Sequence, residues 1–67
     1  MKVVVNGESL RLEAGVRSVG ELLAALGMPG EGTLVEQNGV ALFPRELATT
    51  PVAAGDRFEL VRIAAGG

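Results

Sequence analysis

The stretch of this sequence best suited to chemistry is its last, Ala64-Ala65-Gly66-Gly67. Residues without a β-carbon can enter a narrow channel and adopt backbone angles closed to other residues, so a carboxylate at Gly67 would sit on a thin tether. That carboxylate is ionised at neutral pH, its reference pKa being about 3.5, and is a poor electrophile. It becomes reactive only when another agent installs a leaving group. A glycine pair at the end also arises by chance in a chain with 10 glycines among 67 residues, and chain ends commonly fray. The elements behind the tail must decide whether it is presented or simply left over.

The rest of the composition narrows the chemistry. There is no Cys and no His, so the usual thiol nucleophile and the side chain that titrates near neutrality are both missing, and a zinc or haem site is not expected. Glu36, Glu46 and Asp56 are the best candidates for an active site of the chain's own. No spacing pairs them with a nucleophile or a metal ligand, and they read as surface charges and turn formers. The chain is therefore expected not to be an enzyme by itself, with no catalytic residues, no bound cofactor and no metal.

Net charge is −2, and Arg11, Arg17, Arg45, Arg57 and Arg62 are scattered among eight acidic residues. Nucleic-acid binding needs a basic patch and is not expected. The apolar run Val3-Val4-Val5 stops at Asn6-Gly7, so no signal peptide is read at Met1-Lys2, and no apolar stretch approaches membrane-spanning length. A cytoplasmic protein without a membrane partner is the expectation. At 67 residues one small domain is expected, near the lower limit for stability without disulfides. Its core must be aliphatic, since Phe43 and Phe58 are the only aromatics.

The elements that would position the tail can be read in order. Val3-Val4-Val5 is β-branched and predicts a strand. Asn6-Gly7 is a strong hairpin signal, because a type I′ turn needs positive φ at both central residues. The return strand, Glu8 to Glu13, alternates Leu10 and Leu12 with Arg11 and Glu13. Ser18-Val19-Gly20-Glu21 fits the reciprocal capping box, and Val19, Leu22, Leu23 and Leu26 form one apolar helical stripe. Gly27 and Pro29 end the helix. Two turns are too short to persist alone, so the stripe must pack on the hairpin. A glycine-rich loop from Met28 to Gly32 leads to a third strand, Thr33 to Gln37, and Asn38-Gly39 offers a second turn. Val40 to Phe43 predicts a short return strand and Pro44-Arg45-Glu46 a turn or a single 3₁₀ turn. Arg45 reads as a turn residue whose stem covers apolar surface. Leu47 and Val52 are expected core plugs, and the turn Ala54-Gly55-Asp56 delivers a last strand, Arg57 to Ala64.

That last strand carries an anomaly. Phe58 and Leu60 share one face, yet Val61 and Ile63 continue the opposite face as apolar residues. One reading is a local bulge or helix cover on both faces. The other is a hydrophobic docking patch just before the tail.

Hairpin, helix, strand, short strand and final strand follow the order of the β-grasp fold. The expectation is an α+β, ubiquitin-like β-grasp domain over residues 1–63, with a mixed four- to five-stranded sheet curled around one main helix and a flexible Gly-Gly tail over residues 64–67. The first and last strands would lie parallel at the centre, with Val3-Val4-Val5 beside Leu60-Val61, and parallel neighbours are normally buried.

Over essentially its whole length the chain resembles the ThiS family of sulfur carriers from thiamine biosynthesis, within the ubiquitin-like group. The resemblance rests on Val5-Asn6-Gly7, Val19 to Leu26, Val35-Glu36-Gln37-Asn38-Gly39, Pro44-Arg45-Glu46, Gly55-Asp56-Arg57 and Gly66-Gly67 in combination. It departs at Leu47, where family members often carry an aromatic residue, and in a slightly long segment from Asn38 to Pro44. The resemblance implies that a ThiF-like adenylating enzyme, using ATP and magnesium, forms an acyl-adenylate at Gly67. Sulfur relayed from a cysteine desulfurase then gives a thiocarboxylate, which a ThiG-like thiazole synthase uses as sulfur donor. Ala64, Ala65 and Gly66 would form the tail. Val61, Arg62 and Ile63, with Val4, would dock the partners, and Arg57 and Arg62 would steer them toward acidic surfaces. The alternatives are a MoaD-like small subunit of molybdopterin synthase, a ubiquitin-like modifier joined through Gly67 to lysines, and a plain binding module.

Overall fold

The computed structural model describes residues 1–63. Strand β1 (Lys2–Val5) turns back into β2 (Glu8–Arg11) through Asn6 and Gly7, whose φ angles of 49° and 85° are the positive pair a type I′ turn demands. β2 stops two residues short of the expected Glu13, yet the Leu12 amide still donates to the Met1 carbonyl at 2.7 Å and Leu12 is buried.

Helix α1 (Val19–Ala25) starts as its capping box requires. Ser18 Oγ accepts from the Glu21 amide at 3.1 Å, and Glu21 Oε1 accepts from the amides of Ser18 at 3.0 Å and Arg17 at 3.1 Å. The Arg17 amide first, and then that of Ser18, hold the Glu21 carboxyl below its usual range. Val19, Leu22 and Leu23 are buried, but Leu26 is 36 % exposed. The expected stripe is thus one residue shorter, because Leu26 is the C-cap and Gly27, at φ 70°, turns the chain away from the core.

β3 (Thr33–Gln37) and β4 (Val40–Leu42) flank the second type I′ turn, with Asn38 at φ 52° and Gly39 at 83°. A 3₁₀ turn over Pro44–Glu46 follows, closed by the Phe43 amide donating to Glu46 Oε1 at 2.7 Å. Leu47 and Val52 are buried core plugs. β5 (Arg57–Arg62) completes a five-stranded sheet in the order β2-β1-β5-β3-β4. Every neighbouring pair is antiparallel except β1 with β5.

Residues from all these regions meet in one core: Val3, Val5 and Leu12 from the hairpin region, the helix trio, Val35, Phe58, Leu60 and the two plugs. The helix and plugs cover one sheet face only. The parallel centre is consequently one-sided, with Val4 half-buried and Arg57 exposed on the open face. Its register also differs from the expected one. Val4 and Val5 pair with Arg57 and Phe58 rather than with Leu60 and Val61, because β1 turns off into the hairpin before it can run beside the end of β5.

Asp56 is no surface charge. It is only 9 % exposed, and its carboxylate accepts from Gln37 Nε2 at 3.0 Å, Asn38 Nδ2 at 3.0 Å and the Ala53 amide at 2.8 Å. Burial alone would raise its pKa, but the bonds from Asn38, Ala53 and Gln37 outweigh that and leave it lowered. The carboxylate therefore contributes stability at pH values above its unfolded pKa, near 3.9, and that contribution is lost as pH falls from there through the folded value. Urea titrations between pH 7 and pH 2 should show Asp56→Asn less stable than the parent by about 1–3 kcal/mol at pH 7. The gap should close as pH drops below about 4.

Candidate functional site

The site is built where β5 hands over to the tail. β3 and β5 run in unbroken register from Gln37↔Phe58 to Thr33↔Arg62, and the Ile63 amide continues the ladder by donating to the Gly32 carbonyl at 2.8 Å. There is no bulge in this pairing. Strand alternation sends Phe58 and Leu60 into the core and Val61, with its cross-strand partner Leu34, to the opposite face. Val61 and Ile63 are exposed, so neither a bulge nor helix cover accounts for the anomaly.

Phe43 extends this row. It follows core-facing Leu42 in extended conformation, φ −79° and ψ 151°, which turns it to the open face one step beyond the Val35↔Leu42 pair. Phe43, just past β4, Leu34 and its partner Val61 thereby line up as a band on the open face, with Ile63 following just past the end of β5. Each of the four is more than half exposed. The Arg45 guanidinium lies 4.8 Å from the centre of the Phe43 ring, within cation–π range, so one end of the band carries a positive charge. The next row is acidic, with Glu36 directly opposite Glu59, a pairing of like charges that weakens a sheet slightly.

Of the docking residues expected from the sequence, the structure brings Val61 and Ile63 together and places the other two elsewhere. Arg62 alternates to the other face, beside Thr33. Val4 shares the open face but sits level with Arg57, four residues back along β5, roughly 13 Å at the rise of a strand. Ala64, Ala65, Gly66 and Gly67 lie outside the described residues. The band includes two residues that sequence reasoning missed, Leu34 and Phe43. The parity of Glu36 could have revealed Leu34, since residues two apart share a face. Phe43 carried no such signal.

The carboxylates considered for an active site are dispersed. Glu36 is on the open face, Glu46 closes the 3₁₀ turn and Asp56 is buried. Among the described residues no three acidic side chains converge to hold a metal ion, and no helix is long and apolar enough to cross a membrane.

A mixed five-stranded sheet wrapped on one helix, with a parallel central pair formed by the first and last strands, defines a β-grasp protein. The model of the ThiS family matches residues 2–67, and the chain belongs to that family. Two solved structures are similar to it. A crystal structure of the thiamine biosynthesis protein ThiS from Geobacter metallireducens is 33% identical, each chain covering 100% of the other, with a TM-score of 0.84. An NMR solution structure of a thiamine biosynthesis protein from the same organism is also 33% identical, covering 100% of this chain and 88% of that one, with a TM-score of 0.80. A search of curated proteins yields no significant match.

Because the band faces solvent, its residues should matter little to folding. Leu34→Thr and Val61→Thr should each change stability by less than about 1 kcal/mol in urea denaturation. Their double-mutant cycle should return a coupling of about 0.2–1 kcal/mol, the value of one cross-strand pair.

Proposed function

We propose that this protein is a sulfur carrier for the thiazole branch of thiamine biosynthesis, acting as a protein co-substrate rather than as an enzyme. The observation that carries the reading is membership of the ThiS family along residues 2–67. The apolar band beside the last described residues adds support. In this reading a Gly67 carboxylate oxygen attacks the α-phosphorus of ATP in a ThiF-like enzyme, which also holds the magnesium, and pyrophosphate leaves. The acyl-adenylate is then a competent electrophile. The terminal sulfur of a persulfide, charged by a donor such as a cysteine desulfurase, attacks the acyl carbon and expels AMP. A thiol then cleaves the resulting acyl disulfide, itself becoming oxidised to a disulfide, and the thiocarboxylate released serves as nucleophile in a ThiG-like thiazole synthase. The setting is cytoplasmic.

The division of labour follows from the physics of recognition. The tail of Ala64, Ala65, Gly66 and Gly67 must enter two different active sites in turn, which favours a thin, mobile segment. Affinity must then come from the folded surface behind it. Val61 and Ile63, extended by Leu34 and Phe43, supply apolar contact. The charges of Arg57, four residues back along the same face, and Arg62, on the opposite face, steer the encounter. Val4, level with Arg57, lies outside the contact.

Incubation with a ThiF-like enzyme, ATP, magnesium and a sulfur source should raise the intact mass by the difference between one sulfur and one oxygen. Removal of Gly67 should abolish the shift without unfolding the domain. Val61→Asp should raise the KM for the carrier about tenfold or more, the loss of one buried apolar anchor. An unchanged mass with an enzyme shown to be active on another carrier sinks the proposal. Lysine-linked conjugates in its place would point to a modifier.

A further inference from the structure

The parallel ladder between β1 and β5 is continued by a side chain where the backbone leaves it. The Val4 amide donates to the Asp56 carbonyl at 2.9 Å and the Asn6 amide to the Phe58 carbonyl at 2.8 Å, the two-residue step of a parallel pair. In a continued ladder the Leu60 amide would donate to the Asn6 carbonyl and the Leu60 carbonyl would accept from the Glu8 amide. Those residues have already turned back, since Asn6 sits at φ 49° and Glu8 begins β2. The carboxamide of Asn6 takes their place. Its Oδ1 accepts from the Leu60 amide at 2.8 Å and its Nδ2 donates to the Leu60 carbonyl at 3.1 Å. One side chain thus supplies both the missing acceptor and the missing donor. Leu60 is the last residue of β5 held from this side, three residues before the end of the described chain.

We infer that Asn6 is a positioning residue for the tail: by fixing both backbone groups of Leu60 it sets the direction in which the chain leaves the sheet relative to the apolar band. This rests on the sulfur-carrier reading. A docked surface and a reacting carboxylate act together only if the segment joining them starts from a fixed point. From Val61 onward only β3 holds the strand, through Leu34↔Val61 and the Ile63–Gly32 bond. Loss of the Asn6 bonds leaves that segment free to swing on one edge while the band stays in place.

Asn38 provides an internal control. It occupies the same turn position at φ 52°, and its carboxamide also binds β5 by accepting from the Arg57 amide at 2.9 Å and donating to Asp56 Oδ1 at 3.0 Å. It does so at the far end of the strand. Asn6→Gly and Asn38→Gly keep the positive φ without strain and each removes one carboxamide. Amide exchange by NMR on Asn6→Gly should show Leu60 and Ile63 exchanging at least tenfold faster, with Phe58 less affected. Asn38→Gly should leave Leu60 and Ile63 unchanged once corrected for global stability. In ATP–pyrophosphate exchange with a ThiF-like enzyme, Asn6→Gly should lower kcat roughly tenfold with KM within about twofold, since misplacing a reacting group by about 1 Å can cost up to ~10²-fold. Asn38→Gly should retain the parental kcat. Asn6→Asp accepts from the Leu60 amide but cannot donate to its carbonyl, and serves as the second variant if Asn6→Gly does not fold. Unchanged exchange at Leu60 and Ile63, or a kcat no lower than that of Asn38→Gly, overturns the inference. If the wild-type chain is not adenylated at all, the sulfur-carrier reading falls, and exchange alone decides whether Asn6 anchors the end of β5.

Discussion

The rest of this domain depends on the pairing of two strands from opposite ends of the described chain. β1 and β5 meet over just two residue partners, and the bond between Asn6 and Leu60 spans 54 residues of sequence. Closing so long a loop carries an entropic cost that grows with the logarithm of its length. Two residues of parallel ladder offset little of it. The pairing holds because Phe58, 1% exposed, fills the core at the crossing point, and because polar side chains tie β5 on either side of it. Asp56 binds Gln37, Asn38 and Ala53 before the crossing, and Asn6 binds Leu60 after it.

A chain of this size has material to cover only one sheet face. One short helix and the plugs Leu47 and Val52 shield Val3, Val5, Val35, Phe58 and Leu60, and nothing among the described residues covers the other side. Parallel strands are usually buried on both faces. Here the outer positions are split instead. Charged residues occupy the middle rows, at Arg57, Glu59 and Glu36, and apolar residues gather at the end nearest the tail. Solubility alone would favour the charged pattern throughout. The large exposed apolar side chains of this face lie in the rows nearest the tail, at Leu34, Phe43, Val61 and Ile63.

Local features were legible in the sequence because their causes are local. Both Asn-Gly turns, the Ser18 and Glu21 capping box, the Gly27 stop and the alternation in β5 each depend on residues within a few positions, and each appears as expected. The features that were misread depend on distance. The β1–β5 register is decided by where the hairpin turns away, not by which apolar runs match best. Asp56 reads as an ordinary turn residue because its carboxamide partners are 18 and 19 positions earlier. Leu34 receives no face within its strand from the sequence alone. Its inward neighbour Thr33 is buried instead, its hydroxyl donating to the Pro29 carbonyl at 2.6 Å. Phe43 faces out because its extended backbone continues the alternation one step past core-facing Leu42.

The two sets of ties on β5 also differ in kind, with a consequence for function. The set before the crossing includes a carboxylate, so acid weakens it as Asp56 takes up a proton. The tie after the crossing, next to the tail, is a neutral carboxamide that does not ionise over any physiological range. It gives and receives one hydrogen bond with the same backbone residue and needs no counter-charge. In the proposed carrier role, a segment offered in the same direction to enzymes with different electrostatic surfaces is better held by such a group than by an ion pair, which a charged partner or a change in salt would perturb. In a chain without cysteine or histidine, the end of β5 that leads to the tail is held by the kind of bond least sensitive to its surroundings.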